Sequence, residues 1–419
     1  MMIFTSIYGV VDGFFVSNYV GKTAFASVNF IMPFLMILGA LGSMIGSGGS
    51  ALIAKTLGEK NNDKANQIFS LMVYISIISG TIIAVLAIIF IRPITAFLGT
   101  EGSMLDDCVI YGRVILVALP AFMLQYEFQS FFITAEKPQL GLIVTVASGL
   151  TNIILDFLMV GIIPLGLVGA AAATALSQFV GGVVPLIYFA RKNTSLLRLG
   201  KMKLDSKALL KTCTNGSSEF LSNISMSVVN MLYNVQLIKY AGENGVAAYG
   251  VLMYVNMVFI AVFIGYSLGT GPIIGYHFGA QNHKELKSLL KKSLVIIGVS
   301  AVSMLLLSEL LARPLSKIFV GYNPELFDIT LHAFLIFSFS FLFASVPIFC
   351  SAFFTSLNDG LVSALISFLR TIVFQVAAVL IFPLFWGLDG IWFSIVAAEI
   401  VAAAASVVFL IANKKKYKY

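Results

Sequence analysis

The sequence predicts an all-α polytopic membrane protein with twelve transmembrane helices in two parallel six-helix repeats. Three observations support this fold class. Of the 419 residues, 59% are hydrophobic and only 11% are charged, whereas soluble domains carry about 25% charged residues. Long apolar runs alternate with short polar loops, and the second half of the chain repeats features of the first. The composition excludes soluble enzymes, soluble nucleic-acid binders and disordered proteins.

The individual helices follow from the length of the apolar runs, because a span needs about 20 apolar residues. Polar turn sequences separate the runs, as at Gly58–Asp63 and Leu357–Gly360. The runs lack the alternating pattern of a transmembrane β-barrel. The predicted spans are residues 1–20, 28–56, 67–91, 107–134, 139–163, 167–190, 212–239, 246–276, 290–312, 330–356, 361–383 and 388–411.

The basic residues predict the orientation of these spans. Most of the 26 Lys and Arg residues lie in one set of alternate loops and at the C-terminus. The positive-inside rule places that side in the cytoplasm, so both termini are cytoplasmic and the protein is a multi-pass protein of the plasma or inner membrane. The basic loops contact anionic lipid headgroups and need no nucleic acid partner. The three cysteines, Cys108, Cys213 and Cys350, are too widely spaced to indicate a disulfide framework or a metal site.

An internal repeat divides the chain. When the chain is shifted along itself so that Arg92-Pro93 falls on Arg313-Pro314, Asn61 falls on Asn282 and Gly166–Gly169 falls on Gly387–Gly390. This shift is called the repeat offset below. Six spans in each half make the repeats parallel. The predicted domains are an N-terminal lobe (1–190), a basic cytoplasmic linker (191–211), a C-terminal lobe (212–412) and a basic tail (413–419). Relative to its copy, the first span lacks about 10 residues of a usual span, so we expect the sequence to begin inside helix 1.

Five carboxylates fall well inside the predicted spans, where burying a charge costs several kcal/mol and marks a functional site. They are Asp12, Glu127, Asp156, Glu219 and Glu399. Helix geometry places Asp12, Asp156 and Thr174 about 10–12 Å below the outer ends of their spans. Tyr111 lies one turn inside its span from the same side. Tyr8, Asn152 and Gln178 lie one turn deeper, so the N-terminal lobe is predicted to hold a compact polar layer.

This layer suits ion binding in two ways. Two neighbouring carboxylates, Asp12 and Asp156, can share a proton. The same pair, with the oxygens of Asn152 and Thr174, can hold Na⁺. The alternative is a set of hydrogen bonds that only joins helices. No structural metal and no cofactor are expected.

The second lobe does not repeat this layer, because Asp12 maps onto Tyr233, Asp156 onto Ala377 and Thr174 onto Ile395. Glu219, Glu127, Gln178 and Glu399 form a candidate second site. Glu219 would bind a proton or a cation there, or would only interact with the dipole of its helix. Glu127 is a candidate intramembrane partner for Arg370. The Gly-rich stretches Gly46–Ser50 and Gly265–Gly275 allow close helix packing or a hinge.

Several motifs resemble the MATE (multidrug and toxic compound extrusion) transporters, over essentially the whole chain. They include Tyr8-x-x-Val11-Asp12, Gly58-Glu59-Lys60, Glu136-Lys137-Pro138, Asn152-Ile153-Ile154-Leu155-Asp156 and Gly166-Leu167-x-Gly169-Ala170. The Asn-x-x-x-Asp motif is the most specific and is closer to the DinF-like branch. The resemblance implies a V-shaped pair of lobes, with Tyr8, Asp12, Tyr111, Asn152, Asp156 and Thr174 as the N-lobe polar site. In the family, helix 1 bends at a proline, and that proline would precede Met1. The Gly-Pro that often opens helix 7 in family members is replaced here by Gly216-Ser217.

The resemblance implies alternating-access efflux of small cationic amphipathic compounds by antiport with H⁺ or Na⁺, in a monomer within the lipid bilayer. The alternative is a flippase for lipids or lipid-linked oligosaccharides, from the wider superfamily. Such a flippase would need a cationic cleft for pyrophosphate, whereas the deep charges of the N-terminal lobe are acidic. An enzyme is not expected, because His277, His283 and His332 form no metal-binding or nucleophile–base motif.

Overall fold

The computed structural model describes residues 4–5, 15–20, 22–97, 100–321 and 323–419. These residues form helices joined by short turns and, over residues 191–205, by a longer loop, and none of the described ranges contains a β-strand. The all-α fold class predicted from the apolar runs is confirmed. The first predicted span (1–20), with Tyr8 and Asp12, lies mostly outside the described residues.

The helices are numbered in chain order. Their bounds are α1 Lys22–Gly58, α2 Asn62–Phe97, α3 Gly102–Val117, α4 Leu119–Thr134, α5 Pro138–Asp156, α6 Gly166–Ala190, α7 and α8 within Ser206–Gly279, α9 His283–Val320, α10 Pro324–Ser338, α11 Ser340–Ser356, α12 Gly360–Phe368, α13 Gln375–Ile381 and α14 Pro383–Tyr417. Gly242, at a φ of 59°, separates α7 from α8. In the part of the chain that the structure describes, three segments are π-helical: Val16–Val20, Phe157–Ile162 and Leu369–Phe374.

Within the described residues, eight helices are long and apolar enough to cross a membrane, and two bent helix pairs raise this number to ten. The predicted spans 107–134 and 330–356 are these bent pairs, with bends of 57° between α3 and α4 and 47° between α10 and α11. Pro120 in the first turn of α4 has no N–H to continue the ladder of α3, which explains the first bend. The predicted span 212–239 is helical as part of α7, but its Asn and Ser residues make it more polar than the other spans.

The chain forms two compact units, Met1–Gly216 and Ser217–Tyr419, called unit 1 and unit 2 below. In unit 1, glycines let α1 pack directly on the backbone of α4. A Cβ at Gly42 would lie 2.4 Å from the carbonyl oxygen of Met123, and one at Gly46 would lie 2.8 Å from the Cα of Glu127. The first Gly-rich stretch therefore serves close packing. In unit 2, Gly265 and Gly269 have open space where a Cβ would stand, so close packing does not explain them.

Backbone geometry recurs in the two units at the repeat offset. The side chains of Asn61 and Asn282 each accept a hydrogen bond at 3.1 Å from the backbone N–H three residues later. Gly166 and Gly387 have φ angles of 60° and 57°, which glycine adopts without strain. The two helix bends, at Ala118 and Phe339, are related by the same offset. The repeat is therefore a property of the fold as well as of the sequence.

Candidate functional site

Unit 1 holds most of the predicted polar layer. Asp156 is the last residue of α5, is 0% exposed, and is followed by the π-helical segment Phe157–Ile162. Asn152 lies one turn earlier, and its Nδ2 donates to Thr174 Oγ1 on α6 across 3.4 Å. π-helical turns are rare and occur often at functional sites. The structure thus joins α5 and α6 at the predicted layer.

The other predicted residues of the layer lie on α3, on α6 or outside the described residues. Tyr111 is fully buried on α3, and Gln178 is buried on α6, one turn beyond Thr174. The Oδ1 of Asn152 and the Oε1 of Gln178 are buried without a hydrogen-bond partner among the described residues. Buried acceptors of this kind are costly unless a donor or a cation reaches them. Tyr8 and Asp12, predicted to complete the layer, lie outside the described residues.

Glu127, on α4, is another fully buried carboxylate of unit 1. Both of its oxygens lack a hydrogen-bond partner in the described part of the chain, although the Ser76 hydroxyl lies nearby. Helix α1 packs against the backbone at this residue through Gly46. An unpaired intramembrane acid is costly to hold as an anion, which marks Glu127 as a candidate proton or cation site.

Unit 2 contains a cavity of about 210 Å³. Glu219 on α7, Arg370 in the π-helical segment Leu369–Phe374 and Glu399 on α14 all line it. Its wall is otherwise formed by apolar and neutral polar side chains: Ser222, Met226, Val229, Asn230, Tyr233, Tyr249, Met253, Asn256, Ile260, Ile264, Phe337, Ser340, Ala344, Pro347, Ile348, Ser351, Ser367, Thr371, Gln375 and Ile395. Charged groups on an apolar wall are typical of a small-molecule site.

An ion pair between Arg370 and Glu399 is the strongest electrostatic feature of this cavity. Nε donates to both carboxylate oxygens at 3.1 and 2.9 Å, and Nη2 donates to Oε1 at 2.9 Å. The two side chains are 19% and 7% exposed. The sequence suggested Glu127 as the partner of Arg370, and this was wrong. The two spans that carry Arg370 and Glu399 lie side by side, which their positions in the chain do not show.

A tyrosine pair supports another wall of the cavity. Tyr233 and Tyr249 stack with ring centroids 5.4 Å apart. Tyr233 donates to Gln375 Oε1 at 2.8 Å, and Tyr249 donates to Asn230 Oδ1 at 2.8 Å. At the repeat offset, Tyr233, Ile395 and Glu399 correspond to Asp12, Thr174 and Gln178. The cavity therefore uses positions equivalent to the polar layer of unit 1, with different chemistry.

The described residues contain no group of three or more His, Cys, Asp or Glu side chains that could hold a metal ion. His332 pairs with Asp389 at 2.9 Å, and both side chains are about half exposed. His277 and His283 each have a buried Nδ1 without a hydrogen-bond partner in the part of the chain described.

Comparison with known proteins agrees with this architecture. The MatE family model matches residues 1–158 and 220–381. A protein named multidrug export protein MepA from Staphylococcus saprophyticus is 25% identical over 417 residues, which cover 97% of this chain and 90% of that protein. A protein of the same name from Staphylococcus haemolyticus is 29% identical over 294 residues, 70% of this chain and 65% of that protein.

Solved structures show the same fold. The crystal structure of MATE in complex with MaL6 matches with a TM-score of 0.95 at 23% identity, over 100% of this chain and 94% of that one. The outward-facing conformation of a multidrug resistance MATE family transporter matches with a TM-score of 0.94 at 23% identity, with the same coverage. The family match, the fold and the apolar helices agree, and the chain belongs to the MatE family of membrane transporters, which are not enzymes.

Proposed function

We propose that this protein exports several kinds of small amphipathic organic molecules, chiefly cations, in exchange for H⁺ or Na⁺. Relatives named multidrug export protein, at 25–29% identity, support export of varied compounds. The observation that carries the exchange mechanism is the burial of Asp156 inside a span, next to the Asn152–Thr174 contact. A buried carboxylate without a fixed function would be a large cost to stability.

The coupling ion would bind at Asp156, Asn152 and Thr174, with Tyr111, Tyr8 and Asp12 completing the site. Carboxylate, amide and hydroxyl oxygens are suitable ligands for Na⁺, and a carboxylate alone suffices for H⁺. Glu127 is a further proton site in the same unit. The buried Oδ1 of Asn152, which has no partner among the described residues, supports the assignment, because a bound cation would satisfy it.

Exchange requires that ion and substrate favour different states of the transporter. Ion binding from outside would favour release of substrate and return to the inward-open state, and reciprocity then requires that substrate binding oppose ion binding. We place this cycle in two lobes, residues 1–190 and 212–412, joined by the cytoplasmic linker 191–211 and followed by the tail 413–419. The protein would act as a monomer in the plasma or inner membrane, with both termini in the cytoplasm.

The test is efflux of a cationic dye from proteoliposomes, with pH and Na⁺ gradients imposed separately. Asp156→Asn keeps the size of the side chain but removes the charge and the proton site. We expect it to reduce gradient-driven efflux at least tenfold and to leave the melting temperature within a few degrees of the wild type. The matched control is Asp106→Asn, because Asp106 is an exposed acid paired with Arg92 in the same unit. Unchanged efflux by Asp156→Asn would contradict the site.

A further inference from the structure

We propose that the cavity of unit 2 is a binding site for small amphipathic zwitterions, with the ligand's ammonium group at Glu219 and its carboxylate at Arg370. This inference rests on the proposed export function: it adds zwitterions to the cations named there as a second substrate class and places their binding site in unit 2. It follows from the charges that line the cavity, from their hydrogen bonds and from the differences between the two units.

The negative end of the site is Glu219. Its carboxylate lines the cavity from α7. Among the described residues it has neither an ion-pair partner nor a side-chain hydrogen bond, whereas Glu399 in the same cavity is paired with Arg370. An intramembrane carboxylate without a partner attracts a cation. A ligand ammonium group would supply that charge.

The positive end of the site is Arg370. A guanidinium carries five N–H donors, and Glu399 engages only its Nε and Nη2. Within the described ranges, Nη1 has no hydrogen-bond partner, and the Arg370 side chain keeps 19% of its surface exposed where it lines the cavity. Donors left unpaired in a low-dielectric site are costly. A ligand carboxylate can accept from them, because carboxylates pair well with a guanidinium.

Both ends together favour a zwitterion over a simple cation. The Arg370–Glu399 pair is neutral as a unit, so Glu219 alone would accept any small organic cation. Such a cation would approach the guanidinium and leave the remaining N–H groups of Arg370 without an acceptor. Polar groups left unpaired in this way weaken the binding of a mismatched ligand. A zwitterion satisfies both groups, because its ammonium pairs with Glu219 and its carboxylate accepts hydrogen bonds from Arg370.

The body of the ligand would contact the apolar part of the wall, where Met226, Met253, Ile260 and Phe337 lie. Methionine side chains adapt to different shapes, so this wall tolerates varied apolar groups. Arg370 belongs to the π-helical segment Leu369–Phe374, and such segments occur often at functional sites. The cavity volume of about 210 Å³ limits the enclosed part of the ligand to a small one.

Unit 1 lacks this combination of charges. At the repeat offset, Gly149 and Gln178 stand where unit 2 has Arg370 and Glu399. Gly149 carries no side chain and Gln178 no charge, so the equivalent place in unit 1 cannot bind a carboxylate in this way. The repeated fold thus offers an acidic site for the coupling ion in unit 1 and a site with both signs of charge in unit 2.

A matched pair of fluorescent probes tests the proposal. Nε-dansyl-lysine carries an ammonium and a carboxylate, and dansylcadaverine is the same molecule without the carboxylate. Binding to the purified protein in detergent is measured by dansyl fluorescence, without any ion gradient. We expect the wild type to bind dansyl-lysine at least tenfold more tightly. Arg370→Gln should remove this preference, and Glu219→Gln should weaken the binding of both probes at least fivefold.

Two further variants separate binding from folding. The double variant Arg370→Gln/Glu399→Gln replaces the ion pair with two neutral amides and should also lose the preference for dansyl-lysine. Arg92→Gln, which breaks an exposed ion pair in unit 1, should keep the preference for dansyl-lysine. The wild-type comparison can overturn the proposal even if a variant fails to fold. The proposal would be overturned if the wild type binds the two probes equally or binds dansylcadaverine more tightly. It would also be overturned if Arg370→Gln weakens the binding of both probes by the same factor.

The two proposals fail independently. If the wild type prefers dansyl-lysine and Arg370→Gln loses that preference, but Asp156→Asn exports dye normally, the ion site is wrong and the zwitterion site stands. If gradient-driven efflux depends on Asp156 but the two probes bind alike, the zwitterion site is wrong and the exchange mechanism stands.

Discussion

Asp359 shows how one residue joins the ends of two helices in unit 2. Its Oδ1 accepts from the backbone N–H of Val362 and so caps α12. Its Oδ2 accepts from Lys416 Nζ at 2.7 Å and from the hydroxyl of Tyr417. Burial raises the pKa of this carboxyl, but these hydrogen bonds outweigh burial and lower the pKa below its ordinary value. The charged carboxylate therefore holds the end of α14 against the start of α12.

Replacing this residue should destabilise the protein in a pH-dependent way. Because the folded pKa is lowered, the contribution of Asp359 is complete above the unfolded pKa of about 3.9 and is lost as the pH falls through the folded value. We expect Asp359→Asn to cost about 1–2 kcal/mol at pH 7. The measurement is the melting temperature in detergent between pH 3 and 8. The difference from the wild type should shrink below about pH 4.

Asp106→Asn serves as the control for this variant, because the Asp106–Arg92 pair is about 60% exposed. Exposed ion pairs contribute about 0–1 kcal/mol, so its effect should be small at every pH. A constant difference between Asp359→Asn and the wild type from pH 3 to 8 would contradict the role given to the charge of Asp359.

Single residues were predictable from the sequence where local geometry was enough. The i, i+4 spacing of Asn152 and Asp156 and the depth of Thr174 predicted a shared layer, and the structure joins Asn152 to Thr174. The partner of Arg370 was not predictable, because a pair separated by 29 residues depends on which spans become neighbours.

At the scale of the helices, glycine decides how closely two helices approach. Gly42 and Gly46 on α1 lie against the backbone of α4, where a side chain has no room. In membranes, where no hydrophobic effect drives helices together, such close packing is a main source of association. The Gly-rich composition indicated close packing or a hinge, and only the packed structure shows which glycines meet a neighbouring backbone.

Gly42→Ala should therefore push α1 away from α4, because its Cβ already meets the backbone of Met123. Overpacking costs about 1–3 kcal/mol, so we expect the melting temperature in detergent to fall by several degrees. Gly269→Ala is the matched control, since a Cβ there meets nothing within 4 Å. A helix gains up to about 1 kcal/mol from this change, so that variant should be as stable as the wild type or more so. Equal destabilisation by both substitutions would show that the backbone contact at Gly42 is unimportant.

At the scale of the whole molecule, two copies of one helical pattern carry different buried charges. The helix caps at Asn61 and Asn282 and the positive φ angles at Gly166 and Gly387 recur at one offset. The buried charges do not recur. Basic residues are concentrated in alternate loops, which predicts the side of the membrane on which each loop lies.

Labelling of single cysteines tests this orientation. In a background with Cys108, Cys213 and Cys350 replaced, Lys192→Cys lies in an exposed loop assigned to the cytoplasm and Pro164→Cys in an exposed turn assigned to the outside. We expect a membrane-impermeant maleimide to label Pro164→Cys in intact cells, and Lys192→Cys only after permeabilisation. The opposite pattern would reverse the predicted topology.

The sequence by itself determined the membrane-spanning class, the number and order of the apolar runs, the internal repeat and the local spacing of Asn152 and Asp156. These depend on composition and on the helical period, which are local properties of the chain. The tertiary structure alone decided that α3 and α4 bend within one predicted span, that Gly42 and Gly46 pack on a backbone, and that Arg370 pairs with Glu399 beside Glu219 in one cavity. The physical reason is that packing chooses which helix faces meet, and a charge inside a membrane takes its partner from the face that it meets.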